Sequence, residues 1–90
     1  MNDAPPPPDL HREFPLRCVL KVIAADLDGL QQRIDECLVR MEHAARALPG
    51  NRSATGKFVT YNIDIEFETL DHMRATIHGL RSVHGVRVVL

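Results

Sequence analysis

Ninety residues with 44% hydrophobic and 26% charged side chains suit one globular domain and exclude a disordered, collagenous or membrane-embedded chain. Lys plus Arg at 11 against Asp plus Glu at 12 leaves a net charge of -1, so no excess of positive charge draws the chain to phosphate backbones or anionic lipid. Cys18 and Cys37 lack C-x-x-C spacing and no apolar run reaches the roughly 18 to 20 residues of a membrane span, which together predict a cytoplasmic protein with two reduced core thiols.

Residues 1–13 include Pro5 to Pro8, which cannot donate ladder hydrogen bonds, and are expected to form a disordered, proline-rich tail. The folded domain is expected over 14–90. Between Leu16 and Ile23, Leu16, Cys18, Leu20 and Val22 alternate with Arg17, Val19, Lys21 and Ile23, the period of a strand. After Asp26 the apolar residues Leu27, Leu30, Ile34, Cys37, Leu38 and Met41 recur at steps of three and four, predicting an amphipathic helix that Asp26 or Asp28 can cap.

The end of that helix is ambiguous, because the pattern continues weakly to Leu48 before Pro49-Gly50. A helix over 27–48 would run about 33 Å and overhang strands of about 20 to 26 Å. A helix ending near Met41 to His43, followed by a weak edge strand over 44–52 that tolerates Pro49, fits better.

Lys57 to Glu68 gives the clearest strand, with Val59, Tyr61, Ile63, Ile65 and Phe67 on one face and Phe58, Thr60, Asn62, Asp64 and Glu66 on the other. Thr69 is positioned to cap a second helix with the stripe Leu70, Met73, Ile77 and Leu80, and Gly85 marks the turn out of it. A last strand, Val86 to Leu90, is expected to turn Val86 and Val88 inward and Arg87 and Val89 outward. The element order predicts a ferredoxin-like βαββαβ α+β sandwich, an antiparallel sheet with both helices on one face.

Three segments in order carry a resemblance: F-P-L-R-C-V-L-K-V-I-A from Phe14, S-A-T-G-K-F from Ser53, and H-G-V-R-V-V-L from His84. They resemble the YbeD-like family of small bacterial proteins, over residues 14–90. The resemblance implies an ACT-like fold, a second strand near 44–52, and an uncharacterised function with a link to lipoate metabolism. No catalytic residue is expected.

Familiar chemistries fail on spacing or context. Gly50 to Lys57 has five residues between its glycines, Phe58 after the lysine and a strand next, so it is not a phosphate-binding loop. Thr55 to Tyr61 partly echoes the strand motif of RNA-recognition modules, yet Gly56 stands where a second stacking aromatic belongs and Asp64 and Glu66 would repel phosphates. RNA binding through the open sheet face is therefore the alternative function rather than the favoured one. His72 and His78 point to different sides of one helix, and the histidines are expected to be solvated surface residues without a metal. No cofactor and no nucleophilic triad are expected.

Two surfaces remain. The turn Asp26, Leu27, Asp28, Gly29, Leu30 is similar to the effector-binding loop of ACT domains, with Asp28 in place of the usual proline; Asp26, Asp28, Gly29 and Leu30 are the candidate ligand-binding residues. Gly29 lets a ligand approach backbone N–H groups at a helix start, which favours a carboxylate, while the aspartates could hold an ammonium. The uncovered sheet face, with Arg17, Val19, Lys21, Phe58, Thr60, Asn62, Asp64 and Arg87, is the candidate surface for a protein partner or a homodimer. The expected role is a non-catalytic regulatory or adaptor module.

Overall fold

The computed structural model describes residues 14–90; the proline-rich segment 1–13 lies outside the described residues. Six elements follow in order: β1 (Leu16–Ala25), α1 (Leu30–Arg40), β2 (Ala47–Arg52), β3 (Phe58–Phe67), α2 (Leu70–Arg81) and β4 (Val86–Val89). The strands form one antiparallel sheet in the order β2-β3-β1-β4. This is the ferredoxin-like α+β arrangement. β1 and β3 pair along their whole lengths, from Leu16 opposite Phe67 to Ala25 opposite Phe58, and their inward residues Leu20, Val22, Ala24, Val59, Ile63 and Phe67 meet Leu30, Ile34, Cys37, Leu38 and Leu80 of the helices in the core.

α1 takes the shorter of its two readings, and it starts later and stops differently than its periodicity suggests. Its N-cap is Gly29 in the left-handed region at φ 76°, with no side chain on the first amides, so neither Asp26 nor Asp28 caps it. At the other end the Glu42 N–H donates to the Val39 carbonyl and the His43 N–H to the Leu38 carbonyl, the two bonds of a Schellman turn. The left-handed residue that this turn requires is Glu42, at φ 66°, where glycine is usual.

β2 is poor in β-branched residues, and α1 supplies what propensity does not. Asp35 Oδ1 accepts the Ala47 N–H at 2.8 Å and Gln31 Nε2 donates to the Ala47 carbonyl at 2.9 Å. The first residue of the edge strand is thus held by side chains one helical turn apart, and Ala47 is buried. Further along, a Cβ at Gly50 would lie 2.8 Å from Asn62 Nδ2 and 3.2 Å from the Thr60 carbonyl, so the register shift between Pro49 and Arg52 passes where only glycine fits.

Two inward-facing assignments change. Val86 pairs with Ala24 but Val88 with Ile23 and Val89 with Val22, so Arg87 is the extra residue of a bulge. Val89 therefore turns into the core and Val88 out to solvent, the reverse of simple alternation. α2 is capped by Thr69, whose hydroxyl accepts the His72 N–H. The helix buries Thr76 and Leu80 completely, while Leu70, Met73 and Ile77 are only half-buried. Gly79 faces α1: a Cβ there would lie 2.7 Å from Met41 Cε and 3.3 Å from Cys37 Sγ.

Candidate functional site

The turn between β1 and α1 is held to both of its neighbours. The Ala25 N–H donates to the Gly85 carbonyl and the Asp26 N–H to the Lys57 carbonyl. The Asp26 carboxylate is ion-paired with Arg52 at the end of β2, which removes it as a free partner for an ammonium. Leu30 is fully buried, so its side chain belongs to the core and only its backbone reaches the turn. Asp28 and Gly29 are exposed, and the first intrahelical bond is from the Arg33 N–H to the Gly29 carbonyl. The amides of Gln31 and Gln32 precede that bond and have no intrahelical acceptor. They border a cleft of about 470 Å³ lined by Leu27, Asp28, Gly29, Gln32, Asp35 and Tyr61 among others. Burial pushes the Tyr61 phenol above its ordinary range, and the Asp26 carboxylate adds to this.

The uncovered sheet face is divided along the strands. At the end where β1 begins, Arg17 makes two 3.1 Å contacts to the Asp64 carboxylate, and Glu66 stands opposite Arg17. The guanidinium holds the Asp64 carboxyl below the usual carboxylate range, first through the hydrogen bond and then through its charge. In the middle Lys21 lies between Asn62 on β3 and Leu90, with which it exchanges both backbone hydrogen bonds. Towards the other end come Thr60, Ile23 and Val88 in one row and Phe58 opposite Ala25 in the next. Val19 is 55% exposed, Phe58 39%, Val88 41% and Leu90 67%, a large apolar area for a sheet face with no helix on it. Arg87 is exposed, but it sits at the bulge rather than in a regular row.

A third cluster is absent from the sequence reading. His43 and His72 stack with ring centroids 4.4 Å apart and planes within 3°, and Phe67 meets His43 edge-on at 5.4 Å. These two histidines are half-buried and hydrogen-bonded, not solvated as expected. The Thr76 hydroxyl donates to the His72 carbonyl at 2.9 Å, so His43 Nε2, 2.8 Å from the same oxygen, is the donor of that second bond. His72 Nε2 likewise donates to the Met41 carbonyl at 2.7 Å. Burial, and secondarily the His72 ring, lower the His43 pKa below its ordinary value. The one sequence signal is the i, i+4 spacing of His72 and Thr76 on α2; their partners on the α1–β2 connection are 31 and 33 residues away. Among the described residues no group of three or more His, Cys, Asp or Glu side chains could hold a metal ion.

The element order and the sheet with one uncovered face define a small domain of ACT-like fold. Its structure is similar to that of the ACT domain from GTP pyrophosphokinase of Chlorobium tepidum, with a TM-score of 0.65 and 20% identity over 80% of this chain and 91% of that one. It is also similar to protein HP0495 from H. pylori, with a TM-score of 0.70 and 18% identity over 98% of both chains. At such identities the likeness concerns the fold. Residues 10–90 match the family model described as "Protein of unknown function (DUF493)", and the chain belongs to that family. The ACT-like fold implied by the sequence resemblance is thus borne out. No curated protein matches the chain. No helix among the described residues is long and apolar enough to cross a membrane.

Proposed function

We propose that the chain is a non-catalytic regulatory module of the cytoplasm that binds a small carboxylate at the turn between β1 and α1. The observation that carries this reading is the start of α1: a left-handed Gly29 with no side-chain cap, so that the first amides of an eleven-residue helix border an open cleft. The Leu30 N–H is taken by the Leu27 carbonyl, so the N–H groups of Gln31 and Gln32, with the positive end of the helix dipole, are what favours an anion there. The Asp26 carboxylate is paired with Arg52 and does not line the cleft, while Asp28 lines it and is the acid placed to meet an ammonium on the same ligand. Amino acids and lipoate are the test ligands, the latter because the resemblance to the YbeD-like family implies a link to lipoate metabolism. In an NMR titration of the full chain, the amides from Asp28 to Gln32 should shift in a saturable way. Absence of shifts there with every carboxylate tried, at concentrations well into the millimolar range, would sink the proposal.

A second reading, a protein-binding or self-associating module, rests on the exposed apolar residues Val19, Phe58, Val88 and Leu90 of the uncovered sheet face. RNA binding on the same face is less favoured, because Phe58 is its only aromatic among the described residues and Asp64 and Glu66 oppose phosphate.

A further inference from the structure

α2 presents a surface that neither the β1–α1 turn nor the uncovered sheet face uses. Along its outer side Leu70, Met73 and Ile77 follow one another at steps of three and four, and Arg74, His78 and Arg81 form a second row at the same steps. The two rows line a single groove of about 450 Å³. Its apolar side chains are half-buried, with Met73 and Ile77 resting on the core, while the three basic residues are exposed.

No acid lines this groove, and neither Arg74 nor Arg81 takes part in a salt bridge among the described residues. The imbalance extends past the helix: from His72 to Leu90 there is no Asp or Glu, whereas Arg74, Arg81 and Arg87 are all present. The acids lie just before this stretch, at Asp64, Glu66 and Glu68, and at Asp71 in the first turn of α2, three residues before Arg74 and outside the groove lining. A near-neutral chain has thus left one apolar groove whose lining charges, those of Arg74 and Arg81, are both positive.

We infer that this groove receives an acidic amphipathic helix of a partner protein, its apolar side chains seated on Leu70, Met73 and Ile77 and its carboxylates against Arg74, His78 and Arg81. The steps along α2 match the anchor spacing of a helix laid in a groove, and Met73 can adjust its rotamers to the incoming side chains. Arginine at the rim suits carboxylates because its planar donors pair with both oxygens. The shape argues against a bilayer, which takes up protruding apolar side chains, whereas these three are recessed. The lining argues against a nucleic acid strand, since no aromatic residue other than His78 is available to stack a base.

The test uses the full chain, labelled for NMR, and three probes. One is a synthetic helical peptide of about four turns with leucines at heptad spacing flanked by glutamates; the second replaces every glutamate by glutamine; the third is phosphatidylglycerol–phosphatidylcholine vesicles. The acidic peptide should shift resonances from Leu70 to Arg81. Arg74→Glu with Arg81→Glu should weaken it by about tenfold or more through like-charge contact. Ile77→Asp should abolish binding through the floor, with circular dichroism and the unfolding midpoint showing that each variant remains folded. Shifts centred elsewhere, equal binding of the glutamine peptide, or binding of vesicles without binding of the acidic peptide would each overturn the inference. Because the carboxylate titration reads Asp28 to Gln32, the two proposals fail separately.

Discussion

The residue with the most unusual surroundings is His43. Its ring lies flat on His72, edge-on to Phe67, and its Nε2–H is committed to Thr76, which is fully buried and itself committed to the His72 carbonyl. Protonation adds charge where burial and a second imidazole oppose it, and the His43 pKa is lowered accordingly. With a folded-state value below the unfolded value of 6.5, the unfolded chain binds more protons in the window between them. Stability is then fully present above that window and falls as pH drops through it. Urea unfolding should therefore show a midpoint that declines as pH falls below the unfolded value of 6.5, and His43→Gln, which keeps an N–H donor but does not titrate, should flatten that decline. An unchanged slope in the variant would mean that the stacked pair does not control it.

At the scale of elements, Glu42 shows why the first helix was hard to delimit. Helix ends are read from glycine, and here a glutamate holds the left-handed position of the Schellman turn, so the sequence offers no stop signal until Pro49-Gly50. A left-handed L-residue costs about 1 to 2 kcal/mol, against a smaller entropic cost for glycine. Glu42→Gly should accordingly stabilise the protein by up to about 1 kcal/mol in urea unfolding, with its circular dichroism unchanged. A loss of stability would show that the glutamate side chain contributes more than its backbone costs. β3 was legible because its alternation is unbroken and its partner β1 has the same period. β4 was legible as a strand but not in its facing, because a bulge at Arg87 leaves no mark in a run of valines. β2 could be inferred only from chain length and the family resemblance, since the groups that hold it, Gln31 and Asp35, belong to α1. The candidate turn residues were legible as neighbours in sequence; the histidine cluster was not, because its partners meet only after α1 and α2 pack.

For the molecule as a whole, placing both helices on one side of a four-stranded sheet leaves two separate surfaces: the outer groove of α2 and the bare sheet. On the sheet the charged end carries the Arg17–Asp64 pair, with both side chains more than half exposed, and such a pair adds little to stability. It is better suited to orienting a partner than to holding the fold. The other end gathers Ile23, Phe58, Val88 and Leu90 without a covering layer, and a domain of this size has a limited core of its own. Two copies laid sheet to sheet would bury that apolar end and leave the α2 groove free. Sedimentation equilibrium should then show an average mass that rises from monomer towards dimer with concentration, and Phe58→Ser with Val88→Lys should hold the protein monomeric without unfolding it. A wild-type chain that stays monomeric at millimolar concentration would refute self-association and leave the sheet face to a different protein.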